Sequence, residues 1–389
     1  MIRSTAQEVG GRRTVLVAHP SADLYGSDRV ALESVSALVD EGWRVVVTMP
    51  AGGPLVEEIE ARGGSVELCP TAVLRRSALR PAGFVRLAGQ VLRGLYVGNR
   101  LITRTRPAAI YVNTVTIPLW LVLARLRGVP AICHVHEAES GAVAALRMAL
   151  GLPLFLARRV IANSEFSRGV LAGDFPRLRR RTRVILNGIE GPAQVSAARE
   201  ELSAPVRMVY VGRLSPRKGV DVAVDAVREL ADRGVVTELE IIGAVFPGYE
   251  WYQTQLQDQI EAAGLAGRVR IRGFESDIWR RLAAADIALV PSREEPFGNT
   301  AIEAIMCARP VVVSAVPGLL EATSGFGSAR SVAPGAPAAL ADAILETIGK
   351  WPEQRAIALE DAVEACERHA PARYRAKVAS AVVGLVGAR

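Results

Sequence analysis

Cysteine, lysine and long apolar runs are all scarce here, and each scarcity excludes something. The four cysteines among 389 residues, Cys69, Cys133, Cys307 and Cys366, lie far apart, and there is no C-x-x-C. A disulfide framework or zinc site is therefore poorly supported, and a reducing compartment fits. The opening MIRSTAQEVGGRR lacks an apolar core, so no signal peptide is expected. One uncharged run, Pro107 to Ala124, reaches 18 residues, but it carries Asn113, Thr114, Thr116 and two prolines. It reads as a strand, a turn and a short helix rather than a membrane span. A Walker loop, a complete G-x-G-x-x-G and a D-x-D are also missing. Half of the residues are apolar and 22% are charged, a globular composition. The length suggests two domains, at roughly 150 residues each.

Acids are missing from one region in particular. Residues 1–190 hold 25 arginines, no lysine and 15 acids, whereas residues 191–389 hold 22 basic and 25 acidic residues. Between Glu67 and Glu137 there is no acid over 69 residues, but ten arginines. A second basic cluster, RLRRRTR, spans Arg177 to Arg183. A preference for Arg over Lys explains the arginines but not the missing acids. Such a field attracts phosphates on lipid, nucleic acid or substrate. Without a helix-turn-helix, zinc or single-strand-binding signature, nucleic acid is not the expected partner.

Short β-branched runs alternate with helical stretches. TVLVAHP, RVVVTMP, SVELCP, AAIYVN, PAICHVH, RRVIANS and RVILNG fill the first half. The Gly-, Pro- and Ser-rich stretch that follows reads as a linker, and VRMVYVG, ELEIIGA, RVRIRGF, DIALVPS and PVVVSA form a second series. Buried parallel strands in two doubly wound α/β domains are the economical architecture. Ligands then sit beyond the carboxyl ends of the strands, in the cleft between domains.

Three segments can carry chemistry. In VGRLSPRKGVD, Arg213 offers a planar fork and Lys218 a point charge across one turn, which suits two adjacent phosphates. In VPSREEPFGNTAIEAIMCARPVVVS, a helix beginning near Asn299 would present the backbone N–H groups of Phe297, Gly298, Asn299 and Thr300 to a diphosphate. Glu295 and Glu303, eight apart, could each chelate a pair of sugar hydroxyls. In HVHE, His134 and His136 share a strand face. A structural histidine is the competing reading, more so for His134 than for His136. Gly26 and Ser27 open a helix after the first strand and could receive an anion, although glycine there often only relieves steric crowding.

Taken together, Asn187-Gly188, VGRLSPRKG, Gly273-Phe274, the E-x7-E in PSREEPFGNTAIEA and the following ARPVVVS resemble glycosyltransferase family 4, the glycosyl transferases of group 1. HVHE and IANSEFSR resemble first-half segments of that family. The resemblance implies the GT-B fold, an α/β architecture of two Rossmann-like domains facing across a cleft. Residues 1–190 would bind acceptor, 191–205 would link, 206–370 would bind a nucleotide sugar, and 371–389 would form a helix returning to the first domain. By the same resemblance Arg213 and Lys218 bind the donor diphosphate, Glu295 contacts the donor sugar, and Glu303 holds the ribose. His136 sits near the transferred sugar, and Gly26, Ser27, Gly212, Gly243, Phe274 and the Phe297–Thr300 segment border the donor. Asn299, Thr300 and Ala308-Arg309 depart from the commoner family residues and leave the sugar's identity open.

The implied reaction is retaining, metal-independent hexosyl transfer without a cofactor. The first-half charge adds an expectation of its own. Arg80, Arg86, Arg93 and Arg100 recur at six to seven residues, beside Phe84, Leu87, Val91, Leu95 and Tyr96. This spacing predicts a helix lying on an anionic membrane surface. The enzyme would then be cytoplasmic, peripheral on the inner membrane face, and active on a lipid-linked or cell-envelope acceptor. The competing account packs the apolar strip inside the domain and leaves the arginines to solvent. Three other readings remain open: a natural-product glycosyltransferase with a small-molecule acceptor, a sugar-nucleotide 2-epimerase, and a silent membrane-tethering subunit.

Overall fold

The expected apolar runs form two parallel sheets in the computed structural model, which describes residues 13–74, 81–138, 143–246 and 248–387. The first sheet contains β1 (Thr14–Ala18), β2 (Arg44–Met49), β3 (Ser65–Leu68), β4 (Ala109–Val112), β5 (Ala131–Val135), β6 (Arg159–Ala162) and β7 (Thr182–Val184). Their spatial order is β3-β2-β1-β4-β5-β6-β7. The second sheet contains β8 (Val206–Val211), β9 (Thr237–Ile242), β10 (Val269–Gly273), β11 (Ile287–Val290), β12 (Val311–Ser314) and β13 (Ala329–Val332), in the order β10-β9-β8-β11-β12-β13. In both sheets the order reverses beside the first strand, at β1/β4 and at β8/β11, which are the places where such sheets bind ligands.

The central strands are apolar on both faces because helices cover both. β1, β4 and β5 are buried throughout. β13 had no counterpart among the expected strands. Its sequence ARSV offers no apolar run, and it forms as an edge partner of β12 by backbone pairing, Val311 opposite Ala329. The run from Pro107 to Ala124 divides into β4, a turn and the start of the helix Leu119–Leu126.

The C-terminal helix Pro371–Val386 lies along the helix Gly26–Asp40 of the first domain. Val378, Val382 and Leu385 are buried there among first-domain residues such as Val30 and Val35. Each such burial is worth ~1.5–3 kcal/mol. Tyr374 shares a 2.6 Å hydrogen bond with Ser34, and Arg375 Nε donates to Glu33 at 2.7 Å. The chain thus crosses between domains twice, and the crossings touch: Ile189 N donates to the His369 carbonyl at 3.0 Å.

The expected amphipathic helix spans Pro81–Thr105. Its stripes differ from the expected ones. Val91 and Leu95 pack against the first-domain core, and Leu101 and Ile102 are buried. The exposed apolar positions are instead Leu92 (69%) and Tyr96 (64%), with Arg93 and Arg100 exposed beside them. Arg80 and the side chains of Phe84 and Arg86 lie outside the described residues.

Candidate active site

Loops at the carboxyl ends of the two sheets meet across the cleft. Tyr25, following β1, sets its ring edge-on to Phe246 and Phe274 at 5.6 Å each. Arg29 Nη2 donates to the Ser276 carbonyl at 2.7 Å, and Asn187 Nδ2 donates to Asn299 Oδ1 at 2.8 Å. Ser164 Oγ donates to the Pro296 carbonyl at 2.8 Å. The Glu321 carboxylate accepts from the backbone N–H groups of Glu165 and Phe166, at 2.6 and 2.8 Å, where the helix Glu165–Asp174 begins. A carboxylate at that terminus is favoured by the unpaired N–H groups and the helix dipole.

Within the second domain the motif residues assemble around one glycine. Gly219, at φ +67°, follows the turn that carries Pro216, Arg217 and Lys218. A Cβ at Gly219 would lie 2.0 Å from the Pro291 carbonyl oxygen, so only glycine lets this turn close on the end of β11. That approach sets Lys218 against Glu295 as a hydrogen-bonded ion pair, and Ser292 Oγ donates to Glu295 at 3.2 Å. Burial pushes the Lys218 ammonium below its usual range, against the pull of Glu295. Burial opposes ionisation of Glu295 as well, but Lys218 and Arg217 hold its carboxyl below the ordinary range.

Arg213 sits in the corner made by two edge-on rings. Its guanidinium carbon is 3.4 Å from the Phe246 centroid and 4.6 Å from that of Tyr25. Burial brings its pKa down to about 10, so it remains cationic at neutral pH. Its Nε is buried without a hydrogen-bond partner among the described residues. An unsatisfied cationic donor of this kind favours an incoming anionic oxygen.

A pocket between the domains gathers the other expected donor residues. Gly26, Gly212, Gly243, Phe274, Asn299, Thr300 and Glu303 all line it, together with Leu24, Tyr25 and Arg29. The helix Asn299–Met306 begins as expected, after Gly298 at φ +111°. Glu303 lies in its second turn, where burial raises its carboxyl pKa against the opposing pull of Arg29 and Lys218. Gly26 makes a close approach: a Cβ there would meet Asn299 Nδ2 at 2.9 Å. The Phe297 side chain is buried and stands edge-on to His369 at 5.7 Å, so only its backbone is available to a ligand. Ser27 is exposed and is not among the residues lining this pocket.

The two histidines of HVHE separate by environment. His134 is fully buried, with Nδ1 2.6 Å from the Tyr111 hydroxyl, inside a polar core that also includes Ser34 and Tyr374. His136 is half-buried just past β5, its Nε2 2.9 Å from Asn113 Oδ1. Burial first, then the nearby His19, brings the His136 pKa down to about 3, so its ring is neutral at physiological pH. Asn163 Nδ2 donates to the His136 carbonyl at 3.4 Å. With the adjacent Ser164 on Pro296, this brings the His136 loop to the Glu295 loop.

Sequence reasoning missed Tyr25, Arg29, Asn113 and Glu321. Asn113 carried a usable signal, as a polar residue directly after an apolar strand. The other three act across the domain interface, which no local pattern reports.

Two parallel doubly wound sheets joined by a double crossing, with loops opposed over a cleft, define the GT-B architecture. HepE from Anabaena, solved in complex with UDP-glucose, shares this fold with TM-score 0.80 and 22% identity, over 95% of this chain and 99% of that one. A cyanobacterial sucrose-phosphate synthase from Thermosynechococcus elongatus gives TM-score 0.76 and 19% identity, over 97% of this chain and all of that one. The family model for glycosyl transferases group 1 matches residues 196–361, and that for glycosyltransferase family 4 matches residues 25–190. The chain belongs to this group 1, family 4 type of glycosyltransferases. Among curated relatives, glycogen synthase of Mycobacterium tuberculosis is 31% identical over 58% of this chain and 57% of its own. The GDP-mannose-dependent alpha-(1-6)-phosphatidylinositol dimannoside mannosyltransferase of the same species is 34% identical, over 38% of this chain and 37% of its own. The chain thus spans at most about 57% of the curated relatives named here.

Proposed function

We propose that this protein transfers a sugar, with retention, from a nucleotide-diphosphate sugar to a lipid-linked or cell-envelope acceptor. The observation that carries this reading is the convergence of Arg213, the Lys218–Glu295 pair and the Glu303 pocket at one interdomain site. The family membership and the UDP-glucose held by a structural neighbour support a nucleotide-sugar donor.

The reaction breaks the bond between the anomeric carbon and the diphosphate. Negative charge grows on the leaving phosphate while positive charge grows on the sugar. Arg213 and Lys218 stabilise the former, with the start of the helix Asn299–Met306 beside them, and they do so most in the transition state. Glu295 orients Lys218 and offers oxygens to donor-sugar hydroxyls, and Glu303 serves the ribose. The acceptor hydroxyl attacks on the face the diphosphate leaves, and its proton passes to the departing phosphate. No cofactor is needed, and the cationic side chains take the place of a divalent ion.

The acceptor reading rests on one face of the first domain. Leu92 and Tyr96 are exposed with Arg93 and Arg100, and Leu126 (72% exposed) stands between the exposed Arg125 and Arg127. Leu152, Phe155 and Leu156 are exposed on the turn Leu152–Leu156. Arg181 Nη1 donates to the Phe155 carbonyl at 3.3 Å, which joins that turn to the Arg177–Arg183 cluster. Apolar side chains set among arginines suit the interface of an anionic bilayer. No helix among the described residues is long and apolar enough to cross a membrane.

Incubation with a panel of nucleotide sugars and a lipid extract, read by mass spectrometry, tests the proposal. A glycosylated lipid is expected, with the anomeric configuration of the donor by NMR coupling constants. Isomerised nucleotide sugar without added acceptor would establish the epimerase instead. Tight donor binding without any product would establish a binding subunit.

A further inference from the structure

His19, Asn113 and His136 each stand one residue past a strand, and those strands, β1, β4 and β5, are neighbours in the sheet. The reversal of strand order between β1 and β4 falls between the first two. Their side chains form a continuous hydrogen-bonded line that begins at Asp28, in the first turn of the helix Gly26–Asp40. Asp28 Oδ1 is 2.8 Å from His19 Nε2 and accepts from Ser21 Oγ at 2.8 Å, and Oδ2 accepts from Tyr25 N at 3.0 Å. His19 Nδ1 is 3.0 Å from Asn113 Nδ2, and Asn113 Oδ1 is 2.9 Å from His136 Nε2. Asp28, His19 and Asn113 are each 1% exposed.

Donor and acceptor chemistry orders the protons along this line. An amide nitrogen only donates, so His19 Nδ1 accepts and His19 Nε2 carries its proton toward Asp28. An amide oxygen only accepts, so His136 Nε2 carries the proton and His136 Nδ1 holds the lone pair. We propose that Asp28, His19 and Asn113 are positioning residues that lock His136 as the Nε2–H tautomer, so that Nδ1 accepts a hydrogen bond from a hydroxyl of the bound sugar. The ligand half of this inference rests on the transferase reading above; the tautomer half does not. A neutral acceptor suits the site, because an imidazolium would oppose the positive charge that develops on the sugar. The flipped amide is the competing state. It would need a doubly protonated His19 and would leave His136 as the Nδ1–H form. Asp28 does not require that cation, since the ring N–H, the serine hydroxyl and the Tyr25 N–H already satisfy it.

Long-range ¹H–¹⁵N NMR of the full chain, labelled at its four histidines, reads the tautomers directly at pH 7. The expected result is His136 protonated at Nε2 and bare at Nδ1, with His19 neutral and protonated at Nε2. A doubly protonated His19, or His136 as the Nδ1–H form, would overturn the proposal without any variant being made. Asn113→Ala should give His136 signals averaged between tautomers and lower kcat about tenfold, the scale of one hydrogen bond, with KM for the nucleotide sugar within about twofold. Unchanged His136 nitrogen shifts in that variant would also overturn it. Should Asn113→Ala not fold, Asp28→Ala serves the same purpose by removing the acceptor that holds the His19 proton. If the wild type shows the ordered tautomers but transfers no sugar, the transferase reading fails and the lock stands.

Discussion

Lys218 and Glu295 show why residue-scale predictions need pairs of variants. Lys218→Ala should lower kcat by on the order of 10²-fold, as expected for loss of one group that stabilises developing charge. It also strands Glu295, a half-buried carboxylate, at a cost below the ~3–5 kcal/mol of breaking a fully buried pair. The single variant should therefore melt at a lower temperature. Adding Glu295→Gln should recover much of the melting temperature and none of the turnover. Recovery of turnover in the double variant would show that Lys218 acts only through folding. Glu303→Ala touches the pocket rather than the leaving group, so it should raise KM for the nucleotide sugar with little change in kcat. A large fall in kcat instead would move Glu303 out of the ribose role. His369 carries a pH prediction. Burial lowers its pKa to about 4, while an unfolded histidine titrates near 6.5. Between these values the unfolded state binds the proton and the native state does not. Stability should therefore fall as pH drops from about 6.5 to about 4 and then level off for this group. Urea unfolding of wild type and His369→Gln checks this, the variant being expected to show the shallower slope.

At the scale of elements, legibility followed how local the cause was. β1, β4 and β5 were readable because strands buried on both faces must be apolar throughout. β13 was not, because its cause is the free edge of β12 and not its own side chains. The helix starting at Asn299 was readable from the Phe-Gly before it and the apolar spacing after it. The helix Pro81–Thr105 was readable as a helix but not in its facing. Gly94 and Gly98 decide that facing: a Cβ at Gly94 would meet the Pro70 carbonyl at 2.7 Å, and one at Gly98 would meet Leu123 at 2.7 Å. The glycine edge is the inner one, and Leu92 and Tyr96 are left outside. Asn113, His19, Asp28 and His136 illustrate the limit, since residues 9, 94 and 23 positions apart meet only once the sheet has formed. The corrected facing redirects the membrane test. Leu92→Ser with Tyr96→Ser, and Leu152→Ser with Phe155→Ser, should each weaken flotation with anionic liposomes. Val91→Ser and Leu95→Ser should act by destabilising the domain. Binding should also fall steeply as salt rises. Equal flotation with neutral and anionic vesicles, or no effect of the two exposed pairs, removes the surface from consideration.

At the scale of the whole molecule, contacts from both domains hold the cleft together. Arg29 reaches Ser276 at one side, Asn187 reaches Asn299 near the crossing, and Glu321 caps the helix Glu165–Asp174 at another side. Tyr25 meanwhile covers Arg213. A nucleotide sugar that reaches Arg213 must displace or slide past that ring, and loosening the closing contacts is expected to ease its entry. Glu321 is the most separable of them. It lies on the short helix Pro317–Ala322, away from the arginine, and it acts through two charge-assisted hydrogen bonds to a helix terminus. A carboxylate in such a position contributes ~0.3–1 kcal/mol through the helix dipole, more where it is partly buried. Glu321→Ala should therefore shift the population toward open forms several-fold while leaving each domain intact. Small-angle scattering of the free protein should report a larger radius of gyration in the variant, and saturating nucleoside diphosphate should bring the two proteins back together. The thermal transition should change little, because neither core loses a buried group. If free wild type and variant scatter identically, Glu321 does not hold the cleft. If the variant's melting temperature collapses, the contact belongs to folding and not to closure.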